Sequence, residues 1–171
     1  MGPSHGLHEG KPFKTRSKKI ELYNSRYADA GIDPMPVYTP PKKVPKNHFR
    51  MVVGRNAYIT QSASTNNALL WELEHENTLW IHPRPAQMLG IRQGDLVEVE
   101  SPAGKGRLKA NVTGKTRSDT VYMDTGFGVI SKGLSKIYGK GACIVEVLED
   151  YADRISGNMA MHETFVSVRK V

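Results

Sequence analysis

Residues 54–67 bring together side chains that can form many hydrogen bonds. The segment supplies the guanidinium of Arg55, five hydroxyls and several carboxamides, and it contains no acidic residue. A guanidinium pairs with phosphate oxygens, and hydroxyls and amides can both donate and accept hydrogen bonds. Such a neutral-to-positive set suits a phosphorylated ligand that is rich in heteroatoms. We therefore interpret residues 54–67, hereafter the first loop, as a candidate ligand-binding loop.

Short strands are the elements that must position this loop. Apolar and β-branched runs predict strands at residues 49–53, 78–82, 96–101, 106–112, 120–124, 143–148 and 164–168. A β-hairpin is predicted where residues 102–104, Pro-Ala-Gly, separate two of these runs. Two short helices are predicted, at residues 67–75 and 84–88. Several short strands with two or three small helices predict a mainly β protein, a closed barrel with helical insertions.

The pattern over residues 83–104 is the strongest indication of the fold. Gly90 allows the positive φ with which a helix ends, and Gly94 with Asp95 predicts a tight turn in which the Asp95 carboxylate accepts hydrogen bonds from backbone N–H groups. The residues expected to face the core are Ala86, Leu89, Leu96, Val97 and Val99. Trp80, in the run before this pattern, is also expected in the core.

The N-terminal part of the chain differs in composition from the rest. Five of the ten prolines lie between residues 34 and 45, which favours extended, irregular backbone. A short strand is predicted just before them, at residues 20–23. We expect an extended, basic, proline-rich arm over residues 1–47, leading in from a preceding domain, and a barrel domain over residues 48–171.

The positive charge is also concentrated in this arm. The chain has a net charge of +7, of which +6 falls within residues 1–50. A basic arm is compatible with nucleic acid or an acidic partner. Its cations are scattered among Pro, Tyr and Leu, without the interleaved aromatic residues that stack on bases. The sequence therefore predicts an arm that is solvated or packs on a protein partner. It predicts that the chain does not bind nucleic acid.

The single cysteine limits the chemistry that the chain can support. Cys143 alone can form neither an internal disulfide nor the cysteine cluster that holds an iron–sulfur centre. Because it lies in an apolar run, we expect it to be buried and inert. The sequence has no apolar run of membrane-spanning length and no signal-peptide pattern at its start. It predicts a soluble chain in a reducing compartment.

Several motifs occur in a fixed order along the chain. They are Gly54-Arg55, Leu79 to Pro83, Leu89-Gly90-Ile91, Gly94-Asp95, Gly126-Phe127-Gly128, Ser156-Gly157-Asn158 and His162 to Phe165. In this order they resemble the C-terminal domain of molybdopterin-dependent oxidoreductases of the dimethyl sulfoxide reductase superfamily. The similarity is nearest to the catalytic subunits of thiosulfate and polysulfide reductases, and it extends into the arm, at residues 18–23 and 31–38.

The resemblance implies a double-psi β-barrel, of the aspartate decarboxylase-like type, that binds molybdopterin guanine dinucleotide, with molybdenum or tungsten held by the cofactor. In that family the domain closes over the cofactor as a lid and supplies neither a metal ligand nor iron–sulfur ligands. The implied partners are the remaining domains of the catalytic subunit. Iron–sulfur and membrane-anchor subunits of the parent enzyme are also compatible with the resemblance. A periplasmic, membrane-associated parent enzyme is compatible too.

The resemblance also implies which residues contact the cofactor. The first loop would meet the pterin and pyrophosphate, residues 126 and 127 would form a second turn facing the cofactor, and a histidine would approach near the closing strand. These residues are Arg55, Thr60, Ser62, Ser64, Thr65, Asn66, Gly126, Phe127 and His162. The residue types alone leave other roles open: a surface cation, caps for the helix near residue 67, and a structural histidine.

Three functions remain open from the sequence. The first is a cofactor-binding module, inactive alone, of an oxidoreductase that reduces thiosulfate, polysulfide or a related sulfur compound. The second is a non-catalytic barrel that serves as an assembly or interaction module through its basic arm. The third is a small independent enzyme on the same barrel, which would need a self-processing serine at a Gly-Ser bond. The chain contains no Gly-Ser dipeptide, which counts against the third function.

Overall fold

A computed structural model describes residues 10–35, 37–153 and 156–171 of the chain. The chain divides into two compact units, the first ending at Pro41 and the second comprising Lys42–Val171. The second unit thus begins a few residues before position 48, where the sequence analysis starts the barrel domain. Within the described residues, no helix is both long enough and apolar enough to cross a membrane.

The described residues of the first unit include one short helix, α1 (Ser25–Asp29), which the sequence analysis missed. It begins where the Asn24 side chain accepts a hydrogen bond from the Arg26 backbone N–H at 3.1 Å. The strand predicted at residues 20–23 is wrong, because these residues adopt no strand. The Glu21 carboxylate instead accepts a hydrogen bond from the Ser17 N–H at 2.7 Å, a local contact that bends the backbone.

The second unit is built mostly from short strands. Its strands are β1 (Phe49–Gly54), β2 (Thr78–Ile81), β3 (Leu96–Ser101), β4 (Gly104–Val112), β5 (Thr120–Asp124) and β6 (Phe165–Lys170). Its helices are α2 (Ala68–Trp71) and α3 (Pro83–Met88). Short 3₁₀ turns occur at Gln61–Ala63, Ile144–Glu146 and Met161–Glu163. α2 is shorter than the helix predicted at residues 67–75.

The strands close into a barrel in the order β1-β5-β2-β4-β3-β6. Two of the pairings are parallel: β1 with β5, in register from Arg50 opposite Thr120 to Gly54 opposite Asp124, and β2 with β4. The other pairings are antiparallel, including the β3–β4 hairpin. The fold is a double-psi β-barrel, so the predicted fold class is confirmed.

Apolar side chains at alternate positions of the strands fill the barrel interior. β1 buries Phe49, Met51 and Val53, and β3 buries Val97 and Val99. Successive side chains of a strand point to opposite faces, so every second residue reaches the core.

Two residues expected in the core are exposed. Leu96 is 46% exposed, because it directly precedes Val97 and its side chain therefore points to the opposite face of β3 from Val97 and Val99. Leu89 is 40% exposed, because it follows the last turn of α3 as its C-cap. Trp80, also expected in the core, is half-buried and packs against Tyr122, with 5.0 Å between ring centroids.

The strand predicted at residues 143–148 is wrong. This segment forms the 3₁₀ turn Ile144–Glu146, in which Val145 is 70% exposed. The buried residues are Ile144, Val147 and Leu148, a spacing of three and four that is typical of helical rather than extended backbone. Cys143 precedes this turn and is half-buried, so the expectation that it is buried is also wrong.

The predicted ends of α3 are confirmed. The His82 imidazole accepts a hydrogen bond from the Arg84 N–H at 3.2 Å, and a proline occupies the first helical turn. Gly90 has a φ of 67° just beyond the helix. In the following turn, the Asp95 carboxylate accepts a hydrogen bond from the Arg92 N–H at 2.8 Å, as predicted. The Lys170 ammonium, which donates to the Asp95 carboxylate at 2.7 Å, and the Arg92 N–H hold the Asp95 pKa below its usual range.

Candidate functional site

The first loop and the Gly-Phe-Gly turn leave the barrel side by side. β1 and β5 run parallel, and their last paired residues are Gly54 and Asp124. Immediately beyond them, the Thr125 N–H donates a hydrogen bond to the Gly54 carbonyl at 3.1 Å. Since the carboxyl ends of parallel strands meet at one edge, the first loop and residues 125–128, hereafter the second turn, start from the same edge of the barrel.

The first loop packs directly on the second turn. Gly126 has a φ of 98°, and a Cβ placed on it would lie 2.6 Å from the Gln61 carbonyl carbon and 2.8 Å from the Ser62 nitrogen. A side chain here would collide with backbone, so the close approach requires glycine. Gly54 is constrained similarly, because a Cβ there would overlap the Tyr122 side chain.

Three of the predicted ligand residues in the first loop are exposed. They are Arg55, Thr60 and Ser62. Arg55 has one partner within the loop. When the Gln61 carboxamide is oriented with its oxygen toward the guanidinium, that oxygen accepts hydrogen bonds from Arg55 Nε at 3.0 Å and Nη2 at 3.3 Å. With Tyr58, which is also exposed, the loop presents a guanidinium and three hydroxyls to solvent.

Two other predicted ligand residues hold the loop in shape. The Ser64 hydroxyl accepts a hydrogen bond from the Thr60 N–H at 2.6 Å. Thr65 is only 1% exposed, and its hydroxyl donates to the Ser62 carbonyl at 3.3 Å. Both hydroxyls therefore already have partners inside the loop.

Asn66 connects the first loop to a second stretch of chain. Its side-chain oxygen accepts a hydrogen bond from the Lys136 N–H at 2.9 Å. The neighbouring Asn67 caps α2, accepting from the Leu69 N–H at 2.9 Å. Asn67 therefore takes the capping role that the sequence leaves open near residue 67, and Asn66 does not.

The second turn and His162 contribute differently to this edge. Phe127 is only 3% exposed, so its ring packs inside and the turn offers mainly backbone to a ligand. His162 is exposed within the 3₁₀ turn Met161–Glu163. The Val53 N–H lies 3.4 Å from His162 Nδ1, and Arg50 Nη1 donates to the His162 carbonyl at 2.6 Å. His162 thus lies against the end of β1, next to the start of the first loop.

A layer of acidic and phenolic groups lies beneath the first loop, and sequence reasoning missed it. Tyr122 donates to the Asp124 carboxylate at 2.5 Å, and the Asn56 amide donates to Glu74 at 2.9 Å. Burial raises the pKa of the Glu74 carboxyl, and the charge of Asp124 raises it further. Burial, the hydrogen bond to Asp124 and the charge of Asp124 also raise the pKa of Tyr122.

Asn77 anchors this edge, and it was also missed. Its side chain is fully buried and donates to the carbonyls of Asp124, at 2.8 Å, and Ala142, at 2.9 Å. Its oxygen accepts from the Ala142 N–H at 2.9 Å. An asparagine beside an apolar strand carries no distinct sequence signal, so only its contacts reveal the role.

The groups at this edge suit an anionic, heteroatom-rich ligand. Arg55, Thr60 and Ser62 offer a cation and two hydroxyls, while the acidic groups lie beneath the loop. Among the described residues, four buried side-chain polar atoms lack a hydrogen-bond partner, and one of them is Thr125 Oγ1 at the junction of the two segments. A buried hydroxyl without a partner costs about 1–3 kcal/mol, so this position has room for a hydrogen bond to water or to a ligand.

A surface groove occurs elsewhere on the second unit. It runs along α3 and β4, and none of the nine predicted ligand residues lines it. Its lining includes Ala86, Ile91 and Val112. The groove also contains the exposed cation Arg92, but the ligand residues that the sequence predicts lie outside it, at the barrel edge.

Comparison with known proteins identifies the family. Residues 49–165 match the molydopterin (molybdopterin) dinucleotide binding domain. The thiosulfate reductase molybdopterin-containing subunit PhsA of Salmonella typhimurium is 36% identical over 121 residues, covering 68% of this chain and 15% of that protein. Dimethyl sulfoxide reductase DmsA of Escherichia coli is 26% identical over 178 residues, covering 95% of this chain and 22% of that protein.

A solved structure agrees with the fold. Acetylene hydratase from Pelobacter acetylenicus superposes with a TM-score of 0.77 and 22% identity, over 92% of this chain and 24% of that chain. The chain therefore corresponds to less than a quarter of the length of each of these relatives. The match over most of the barrel shows that this chain belongs to the molybdopterin dinucleotide-binding domain family of the dimethyl sulfoxide reductase superfamily.

Proposed function

We propose that the first loop, the second turn and His162 form one wall of a binding site for molybdopterin guanine dinucleotide carrying molybdenum or tungsten. The observation that carries this proposal is the common edge at which the two segments emerge, with Gly126 packed on Gln61 and Arg55 exposed beside them. The family supports a molybdopterin cofactor, and the guanine form is part of the proposal.

The residues of this wall would bind different parts of the cofactor. Arg55 pairs with pyrophosphate oxygens, since its planar fork matches phosphate geometry. Thr60 and Ser62 offer hydroxyls to the phosphates or to pterin ring edges. The second turn, at Gly126 and Phe127, offers backbone groups, and His162 offers an imidazole from the opposite side of β1.

The remaining predicted contacts would act mainly through loop shape. Ser64, Thr65 and Asn66 each have a partner within the protein. Ser64 can still donate its hydroxyl hydrogen to a ligand while it accepts from the loop backbone. Bound cofactor would supply the two-electron redox chemistry, and the chain would orient it.

We further propose that the chain works as part of a larger catalytic subunit, with residues 1–47 as the arm that leads into the domain at residues 48–171. The relatives named above are several times longer. PhsA, a thiosulfate reductase subunit, supports reduction of thiosulfate, polysulfide or a related sulfur compound by the parent enzyme. The other cofactor-binding domains, and iron–sulfur and membrane-anchor subunits at a periplasmic membrane, would complete that enzyme.

Calorimetric titration of the 171-residue chain with guanosine diphosphate tests the binding role. We expect weak, millimolar-range binding, since one wall of a site orders few groups, and we expect Arg55→Gln to weaken it about tenfold or more through loss of a charge-assisted pair. Arg92→Gln, which removes an exposed cation of the α3 groove, is the matched control and should bind as the unmodified chain does. Equal binding by both variants would contradict the role of Arg55.

A further inference from the structure

Gln61 adopts a backbone conformation that is unusual for a residue with a side chain. Its φ is 47°, in the left-handed region. That conformation costs about 1–2 kcal/mol for a residue other than glycine. The first loop tolerates this strain because the Gln61 backbone is packed against Gly126, where even a methyl group would not fit. Strain of this kind is found most often at functional sites.

The strained backbone directs the Gln61 side chain toward Arg55. With its oxygen oriented toward the guanidinium, the orientation that satisfies both groups, the carboxamide accepts from Nε at 3.0 Å and from Nη2 at 3.3 Å. These two N–H groups lie on one side of the planar guanidinium. That side can donate two parallel hydrogen bonds to two oxygens of a phosphate. In the protein as it stands, an uncharged oxygen of the chain therefore fills the place that a ligand anion would take.

We propose that Gln61 is an internal competitor for the Arg55 anion site, which a phosphorylated ligand must displace. This inference rests on the proposed function, because it assumes that Arg55 binds ligand phosphate. A guanidinium bond to a phosphate is about twice as strong as one to a neutral oxygen. A pyrophosphate therefore displaces the carboxamide, whereas a neutral ligand does not, and the site selects for negative charge.

Three substitutions at position 61 separate competition from other effects. Gln61→Ala removes the competing oxygen but keeps a side chain at the same strained φ. Gln61→Asn keeps a carboxamide that is one methylene too short, and asparagine tolerates left-handed φ well. Gln61→Glu replaces the neutral oxygen with a carboxylate, which pairs with Arg55 more strongly.

The test is calorimetric titration of the full chain and these variants with inorganic pyrophosphate and with guanosine diphosphate. Gln61→Ala and Gln61→Asn should bind about threefold to tenfold tighter than the unmodified chain, the range for one competing hydrogen-bonded pair. Gln61→Glu should bind at least about fivefold weaker. In NMR spectra, adding pyrophosphate should shift the Arg55 Nε–H and the Gln61 side-chain NH₂ resonances together.

The outcomes separate this inference from the proposed function. If the unmodified chain binds but Gln61→Ala binds equally or more weakly, competition by Gln61 is wrong and the binding role of the first loop stands. If the unmodified chain binds neither probe at millimolar concentration, and Gln61→Ala does not either, both the inference and the proposed function fall. Binding that is unaffected by Gln61→Glu would also overturn the inference.

Discussion

The Asn77 side chain forms a pair of hydrogen bonds with the backbone of Ala142, one in each direction, both at 2.9 Å. The same amide also donates to the carbonyl of Asp124, the last residue of β5. One buried side chain therefore ties the strand that ends at the second turn to the segment around residue 142. The edge that carries the predicted ligand groups depends on this contact.

Replacing Asn77 should strongly destabilise the barrel. Asn77→Ala leaves the backbone groups of Ala142 and the Asp124 carbonyl buried without partners, so we expect the free energy of unfolding to fall by about 3 kcal/mol. Denaturant unfolding followed by circular dichroism measures this change. Asn111→Ala, at a half-exposed strand position with a single long side-chain contact, should change it by less than about 0.5 kcal/mol. Similar effects of the two substitutions would refute the anchoring role.

Two threonines at this edge should respond in opposite ways to loss of their hydroxyls. Thr125→Val removes a buried hydroxyl without a partner and should raise the free energy of unfolding of the ligand-free chain by about 1 kcal/mol. Thr65→Val removes the bond to the Ser62 carbonyl and should lower it by about 1 kcal/mol. Thermal unfolding of both variants provides the comparison. A loss of stability in Thr125→Val would mean that this hydroxyl is satisfied in the native chain.

The packing of the first loop on the second turn should be sensitive to a single methyl group. Gly126→Ala places a Cβ 2.6 Å from the Gln61 backbone, so the first loop must move away. We expect amide resonances of residues 54–67 and 125–128 to shift while those of β3 and β4 stay in place. Gly133→Ala is the control, because its Cβ would meet only Ser131 Oγ, at 3.7 Å. Unchanged first-loop resonances in Gly126→Ala would contradict the close approach.

Glu74 should make stability depend on pH in a defined direction. The pKa of Glu74 is raised in the folded chain, so the folded state binds the carboxyl proton more tightly than the unfolded state does. The protonated form therefore stabilises the fold. This stability is lost as pH rises through the raised pKa, because the carboxylate then ionises inside the fold. Glu74→Gln should therefore raise the melting temperature at pH 7. The gain should disappear below about pH 4, near the unfolded value of the carboxyl group. Glu72→Gln, at an exposed position two residues away, is the matched control and should change the melting temperature at pH 7 little.

The sequence predicted the barrel well because its signals are local. Gly90 and the Gly94-Asp95 turn end α3 as expected, and the β3–β4 hairpin follows from alternation and a Pro-Ala-Gly turn. The prediction failed at residues 143–148, because a short apolar run fits a buried strand and a helical turn equally well. Only the structure shows that its buried positions are spaced by three and four, as in a helical turn.

The site could be predicted only in part, because its support comes from distant contacts. The sequence drew attention to the first loop and to Gly126, and whether these residues bind ligand stays a prediction. It could not reveal that Asn77 reaches Ala142, 65 positions away, or that Tyr122 and Asp124 lie beneath the loop. Nor could it show that Gln61 fills the fork of Arg55, which depends on a left-handed backbone at one residue.

Amide NMR of the 171-residue chain titrated with guanosine diphosphate tests the central claim most directly. We predict that resonances of residues 54–67 and 125–128 shift progressively up to millimolar ligand, and that Arg55→Gln reduces these shifts. No shift at millimolar ligand, or shifts confined to residues 10–41, would contradict a cofactor-binding wall at this edge. The second of these results would favour the alternative in which the basic arm makes the chain an interaction module.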